Sequence, residues 1–584
     1  MLLSSRSSPP KPLKITGSER PQYLSVKYLL PRTPIPSPSL PSILPRHGKK
    51  PPKLNSRKIV RSLLWLSVLI GVWYLLSYGR STTNSLSDLT FLTSTGKTYQ
   101  IVEASELPNH ATPLSVTDYD GRNYWTISIP SNLGFPLPHA AYADVCSQVE
   151  DVARHVAGSG WQEEQHLDYY HNEPNYIDVK EAQSSHFLPP SIDISSEHHG
   201  LPICERSLTY ILDAADPGLG STLMGLWLSY SLAEREDRAF FIDDTHFPYG
   251  SYSTFFNGMP EPKCRPPPSA QRVPCPHQAN HLVVSAATSG WMFGAAFQET
   301  FSQREIFDMA RHGYEALFQL RSDDAEYVRE RVLKLRTTND DNNNVDEDED
   351  EDTVHGLVGI HLRRGDRHPF SFAHQLGYLP PETYLSAARK LVGPSSQWTL
   401  LLASDDADMY DHNELPGTIR AQTRISLASK KKLSSGLGWE GGFFKDAFWA
   451  LGLPEHVTAQ KGADGPQPTK GRPSSSSSSE TGQQRDDTPG PPRPQPPRQM
   501  LDVSPEDRDR DYRTHPTKEA LQLREFLGRA YLLDLAMLAH SDKVVCGVSS
   551  FACRILAVML GWDRAFDARD WMNVDGSFEW IAFE

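Results

Sequence analysis

The sequence predicts an α/β protein: two Rossmann-like domains around a central cleft, preceded by a single transmembrane helix and a disordered basic N-terminal arm. Three observations lead there. Strand-like and helix-like segments alternate from about residue 200 onward, the pattern that builds parallel sheets with helices on both faces. Eighteen uncharged residues, Ser62 to Gly79, follow an arm dense in Lys and Arg. The chain has 584 residues, 38% of them hydrophobic, which supplies apolar surface for real cores. By length alone it holds about two to four domains.

The elements follow in chain order. Residues 1–61 carry thirteen Lys or Arg and one acid, Glu19; the arm is +12 in a chain of net charge -14, leaving -26 for the rest. Its Pro- and Ser-rich stretches (SSPPKPLK, PRTPIPSPSLPSILP) bury too little apolar surface to offset the entropy of ordering, so disorder is expected. As a helix, Ser62–Gly79 is ~27 Å long, close to the ~30 Å hydrocarbon core of a bilayer. Trp73, Tyr74 and Tyr78 sit toward its far end, and the positive flank places residues 1–61 in the cytosol and the remainder in a lumen or outside the cell. Residues 62–79 are therefore read as a signal anchor, and residues 80–200, which lack heptads, as a stem and an irregular region. An acidic chain does not bind nucleic-acid backbones in general, because that binding is built on excess Lys and Arg.

A first Rossmann-like domain is expected over residues 201–336. Ser207–Leu212 (SLTYIL) reads as a buried strand, Asp216–Thr222 as a turn, Leu223–Arg235 as a helix and Arg238–Ile242 as the next strand. Residues 337–354 form an acidic loop whose like charges repel. The second domain spans 355–584. Its strands are Leu357–Leu362, Trp398–Ala403, Thr423–Leu427 and Lys543–Cys546; its helices are Pro381–Leu391, Leu521–His540 and Phe551–Leu560. A Pro/Ser/Gly-rich disordered insertion fills 460–512. Of the six cysteines, Cys546 and Cys553 are near enough in sequence to pair, as are Cys264 and Cys275, leaving Cys146 and Cys204; the sequence does not fix the connectivity.

Three runs carry the candidate chemistry. His361-Leu362-Arg363-Arg364-Gly365-Asp366-Arg367 ends the LVGIHL strand, and three guanidiniums with a His at a strand's carboxyl end form a pre-set anion site. The competing reading is structural ion pairs with Asp366, Asp405 and Asp406. Asp405 and Asp406 follow strand WTLLLA, and Asp406-Ala407-Asp408 is a weak D-x-D pattern that would suit a divalent metal on a diphosphate. Ser549 and Ser550 stand where Cys546-Gly547-Val548-Ser549-Ser550-Phe551 passes from strand to helix, as natural N-caps. Gly218 and Gly220 mark a tight strand-to-helix turn where a substrate approaches the backbone.

HLRRGDR, LLASDDAD and YLLDLAMLAHSDKVVCGVSSFACR resemble, in the same order, the three peptide motifs of the α1,6-fucosyltransferases, the core N-glycan and bacterial nodulation enzymes. The resemblance implies a GT-B-like architecture, GDP-fucose as donor, inversion at the anomeric carbon, and no metal or other cofactor. It places Arg363 on the donor diphosphate with Arg364 beside it, and Asp366 and Arg367 on the donor or its ribose. His361, Asp405 and Asp406 join that donor set, Asp534 is the carboxylate near the fucose, and Ser549 and Ser550 lie near the diphosphate. Family members carry a Glu a few residues past the arginine motif as base. Here Arg367-His368-Pro369-Phe370 offers His368 instead, with His374 or Glu382 as substitutes. The implied protein is a type II Golgi enzyme with its catalytic part in the lumen, transferring fucose to a glycan. The alternatives are a nucleotide-sugar or glycan binder lacking the base, and a protein O-fucosyltransferase-like enzyme. Acceptor and oligomeric state are not written in the sequence.

Overall fold

The computed structural model describes residues 107–158, 169–173, 175–191, 200–213, 218–258, 260–337, 355–364, 370–374, 377–393, 398–427 and 516–583. The basic arm, the anchor at 62–79, the acidic loop from 338, the 460–512 insertion, and Asp366, Arg367 and His368 lie outside these residues. Among the described residues, no helix is long and apolar enough to cross a membrane.

A hairpin opens the described chain. β1 (Thr112–Thr117) and β2 (Asn123–Ser128) pair antiparallel, and Trp125 and Ile127 are wholly buried against α1 (His139–Ala157). From Leu107 onward, then, the region read as stem and irregular chain contains regular structure. The sequence signal was diluted by polar residues that are themselves buried, Thr112, Thr126 and Ser128, and by the Pro-rich link to α1.

Next comes a three-stranded parallel sheet, in the order β4-β3-β5. Its members are β3 (Ser207–Ile211), β4 (Ala239–Asp243) and β5 (His281–Val284). α2 (Leu219–Arg235) crosses from β3 to β4 and is buried almost all round, because α3 (Gln303–Leu317) covers its outer side. α2 begins at Leu219, inside the segment assigned to a turn, since Gly218 serves as its N-cap. The turn from α2 into β4 is held by Arg238, whose buried guanidinium pairs with Glu236 at 2.7 Å and donates to the carbonyls of His277, Ala279 and Asn280. α4 (Ser322–Thr337) then leads out of this region.

The five-stranded sheet is parallel throughout, in the order β10-β9-β6-β7-β8. Its elements are β6 (Gly356–Leu362), α5 (Pro381–Val392), β7 (Trp398–Ser404), β8 (Thr418–Arg420), α6 (Lys518–Ala539), β9 (Lys543–Cys546), α7 (Phe551–Leu560) and β10 (Trp571–Asn573). Side chains alternate across β6 as the pleat requires. Val358, Ile360 and Leu362 pack with Leu385 and Ala388 of α5, whereas Leu357 joins the other core together with Leu533, Leu535 and Leu538 of α6. His361 shares that second face. The strand expected at Thr423–Leu427 is not one. β8 ends at Arg420, and the following segment is a loop closed by Gln422, whose side chain donates to Ile425 O at 2.8 Å and accepts from Ile425 N at 2.9 Å.

α6 and α7 pack against α2, α3 and α4, so one continuous core joins the two sheets. A charge cluster around the buried Asp324 adds to that joint. Arg529 of α6 and Arg424 of the loop both grip Asp323 and Asp324 at the start of α4, at 2.7–3.1 Å. The disulfides correct one expectation. Cys546 pairs with Cys553, but Cys264 pairs with Cys204 and Cys275 with Cys146. The main chain of Ile203 bridges to that of Arg265, which sets Cys204 beside Cys264, while Cys146 lies on α1 where it packs near the approach to β5.

Candidate active site

Parallel strands deliver all their carboxyl ends to one edge, and ligands bind there in open α/β sheets. At that edge of the five-stranded sheet is a cavity of about 190 Å³. β6 contributes His361 and, just past its end, Arg363; β7 contributes Ala403, Ser404 and the adjacent Asp405. α6 lines it with Leu527, Ala530, Tyr531, Asp534 and Leu535, spaced at three and four residues so that all five fall on one helical stripe. α7 supplies Ser550, Phe551 and Ala552, and across the gap the start of α2 supplies Gly218, Leu219 and Gly220. Tyr249 and Leu427 complete the lining.

Two helices begin at this cavity. The N-caps of α2 and α7 are Gly218 and Ser550, and neither makes a side-chain cap hydrogen bond. The amides that precede each helix's own hydrogen-bond ladder, Leu219 and Gly220 in α2 and Phe551 and Ala552 in α7, lie at the cavity, and the helix dipole adds partial positive charge there. With Arg363 lining the same cavity, the site is built for an anion that presents several oxygens. Gly220 is required by the close approach of the two halves: a Cβ at that position would lie 2.7 Å from Tyr531 Oη and 3.0 Å from Phe551 Cβ.

The buried wall has a different chemistry. Asp534 is 8% exposed; its carboxyl accepts the Gln422 backbone amide, and its Oδ1 has no hydrogen-bond partner among the described residues. Burial pushes its pKa well above the ordinary carboxylate value, opposed only in part by the Gln422 amide and Arg420. Burial, aided by the charge of Arg363, lowers His361 to about 4, so its imidazole is neutral at physiological pH. His361 Nδ1 is likewise without a hydrogen-bond partner among the described residues. Burial raises the Tyr531 phenol, which stays protonated as a donor. Such a wall offers polar atoms that a ligand would satisfy.

Of the residues singled out from the sequence, the cavity brings together Gly218, Gly220, His361, Arg363, Asp405, Asp534 and Ser550. Arg364, Asp406 and Ser549 do not line it. The Arg364 guanidinium turns away to donate to Leu379 O at 2.6 Å and lies over the Tyr378 ring, while its amide donates to Asp405 at 2.6 Å. Part of the arginine motif is thus structural, but through a carbonyl, a ring and a main-chain amide rather than through the ion pairs of the competing reading. Asp406 is buried and caps the short turn Ala407–Asp411 by accepting from Asp408 N at 3.0 Å. Among the described residues no three His, Cys, Asp or Glu side chains converge as a metal site would need. His374 and Glu382 are exposed and outside the cavity lining. Sequence reasoning missed Tyr249, Ser404, Tyr531, Leu527, Leu535 and Phe551. Leu527 and Tyr531 were legible as the positions seven and three residues before Asp534 on its helical stripe; Tyr249 had no local signal.

No family model matches the chain, and no curated protein matches its sequence. Solved structures do. A NodZ α-1,6-fucosyltransferase co-crystallised with GDP is 11% identical, with 60% of this chain and 91% of that one covered and a TM-score of 0.30. Fucosyltransferase NodZ from Bradyrhizobium is 14% identical over 37% of this chain and 79% of its own, with a TM-score of 0.23. A mutant of Arabidopsis thaliana FUT1 in complex with GDP is 10% identical over 61% and 69%, with a TM-score of 0.28. The enzymes named NodZ among these structures are fucosyltransferases, the type that the three motifs resemble. At TM-scores this low, what bears on function is the cavity itself and the motifs that line it.

Proposed function

We propose that the cavity binds GDP-fucose and that the protein transfers the fucose, with inversion, to a hydroxyl of a glycan acceptor. The observation that carries this reading is the convergence of Arg363 with the uncapped N-termini of α2 and α7. That arrangement suits a diphosphate. As the C1–O bond to the diphosphate breaks, negative charge builds on GDP, and donors already aimed at it stabilise the charge without reorganising. The ionisable buried wall of Asp534 and His361 suits the polar edges of the donor's base or sugar. In this reading the two sheets are the halves of a GT-B-like enzyme, and the arm and residues 62–79 anchor it as a type II Golgi protein with the catalytic part in the lumen. The three disulfides fit an oxidising lumen. No metal is assigned, so turnover is expected to survive EDTA.

Isothermal titration of the full chain in detergent tests the donor, using GDP, GDP-fucose and UDP. GDP and GDP-fucose are expected to bind at micromolar Kd and UDP far more weakly; absence of GDP binding would overturn the reading. Release of GDP is then followed with glycan acceptors. Binding without acceptor-dependent release would instead support a nucleotide-sugar binder.

A further inference from the structure

The chain leaves a group of aromatic rings in the open at the edge of the five-stranded sheet. Phe370 and Phe578 are 52% and 51% exposed, and the half-buried Phe372 contacts both, its ring centroid 5.5 Å from that of Phe370 and 4.6 Å from that of Phe578. Large apolar side chains clustered in water add nothing to the fold, and such patches mark binding surfaces. We propose that these three rings are a platform on which a sugar of the acceptor glycan stacks, one or more sugars away from the hydroxyl that receives fucose. This rests on the transferase reading above.

Two strand-end segments are tied together to make the platform. Phe370 and Phe372 follow β6, and Phe578 follows β10. Asp575, wholly buried, accepts the Ala373 amide at 2.7 Å and so joins them. Asn573 donates to Phe578 O at 3.1 Å, and Gly576, at φ +74°, leaves room for the ring: a Cβ there would lie 3.1 Å from it. The same Asn573 side chain accepts the Val548 amide at 3.0 Å, two residues before Ser550 in the cavity wall. Phe578 O is therefore within about 9 Å of Val548 N, two hydrogen bonds and one amide group away. β9, which leads to Ser550, also lies between β6 and β10, at a strand spacing of ~5 Å from each. Platform and cavity thus share one edge of the sheet, where an extended acceptor can touch both.

A pyranose ring suits such a surface. Its faces present C–H groups, which pack against the negative face of an aromatic π-system, while the hydroxyls around its rim seek polar partners. His374, Ser577 and Glu579 are exposed and stand within two residues of the ring-bearing positions, so such partners border the platform. That mixture of apolar and polar residues fits a sugar better than the apolar centre of a protein interface, from which charged residues are depleted. The rings are also held in place before any ligand arrives. Phe372 packs against the main core, and Phe578 is fixed through Asn573, so little freedom is lost on binding. Stacking of a remote sugar holds the acceptor at the cavity mouth without placing any further group beside the donor.

The test uses the full chain in a detergent without sugar headgroups and a panel of N-glycans with their fragments down to the monosaccharide. Glycan affinity is titrated without nucleotide, and KM is measured for GDP release with the same acceptors. Phe370→Ala and Phe578→Ala are expected to raise the Kd of the full glycan about tenfold, to cut the KM advantage of long over short acceptors by a similar factor, and to keep the GDP Kd within about twofold. Both positions are exposed, so the substitutions leave the fold intact, which thermal melts check. Phe578→Trp, which restores an aromatic face, should recover the wild-type glycan Kd. An unchanged glycan Kd in both Ala variants overturns the proposal, as does a wild-type chain that binds GDP but no member of the panel. Self-association that is lost in Phe578→Ala while glycan affinity is kept overturns it too, by assigning the rings to contact with a second copy. The glycan titration needs no donor, so failure of the wild type to bind GDP sinks the donor reading alone, which keeps the two failures distinct.

Discussion

The two sheets are both parallel and meet through one helical core, yet they hold their functional residues differently. The five-stranded sheet presents its residues in contiguous runs at strand ends: His361 with Arg363, Ser404 with Asp405, and Ser550 with Phe551. The three-stranded half contributes backbone at Gly218 and Gly220 and the distant Tyr249. Charge is concentrated on one wall, and shape and scattered contacts make up the other. A site of this kind is conspicuous from one side and almost silent from the other.

The largest expected effect comes from the covalent ties. Cys146–Cys275 closes a separation of 129 residues in the three-stranded part, whereas Cys546–Cys553 closes 7 at the cavity. By the chain-entropy relation the long loop is worth about 5 kcal/mol and the short one about 2.5 kcal/mol. Paired Cys→Ser variants compared by urea denaturation should show that order. Equal losses would mean the two halves unfold as a single unit insensitive to loop length.

Arg363 and Arg364 sharpen the contrast within one motif. Arg363→Ala is expected to weaken GDP by about 100- to 1,000-fold, roughly 3–4 kcal/mol, at nearly unchanged Tm, because its side chain faces the cavity. Arg364→Ala should do the reverse, lowering Tm through lost contacts to Leu379 and Tyr378 while donor affinity changes less. Titration and thermal melts on the two variants check both; an equal loss of affinity would place Arg364 in the site.

Each sheet also buries a histidine. Burial lowers both His361 and His281 to about 4, from an ordinary value of 6.5. A His with a depressed folded pKa binds its proton more readily when unfolded, so its contribution to stability is full above pH 6.5 and is lost as pH falls toward 4. Each is worth about 3 kcal/mol across that window. His361→Gln and His281→Gln should therefore each flatten the acid limb of stability against pH. Saturating GDP, an anion beside His361 alone, should reduce only the His361 share; an equal effect on His281 would show that the ligand acts through global stability.

These differences explain what was legible in the sequence. The strands Leu357–Leu362 and Trp398–Ala403 and the helices around Asp534 and Phe551 could be placed within about three residues, because apolar runs bounded by turn residues speak locally. Asp405 could be placed in the site for the same reason, since it directly follows a buried strand. The β1–β2 hairpin escaped notice because it buries polar residues, Thr112, Thr126 and Ser128, among its apolar ones, and Thr423–Leu427 looked extended although Gln422 folds it back on Ile425. Cys264 lies eleven residues from Cys275 but is carried to Cys204 by the main-chain pairing of the adjacent Ile203 and Arg265, segments distant in sequence. Tyr249 reaches the cavity through contacts between distant segments, which no local pattern encodes.

The smallest expected effect separates two glycines of α2. A Cβ at Gly225 would sit 2.6 Å from Oη of the buried Tyr210, inside the three-stranded half; at Gly220 it would meet Tyr531 and Phe551 across the gap. Overpacking costs about 1–3 kcal/mol, and replacing a helical Gly with Ala returns about 1 kcal/mol, so each variant should lose about 1 kcal/mol of stability. Their effects on the ligand should differ. Gly225→Ala leaves the cavity untouched and should keep the GDP Kd. Gly220→Ala pushes Tyr531, itself part of the cavity lining, and should raise the Kd roughly fivefold, about 1 kcal/mol. If both raise it equally, the helix start is a mere spacer; if only Gly220→Ala does, the silent wall takes part in holding the donor.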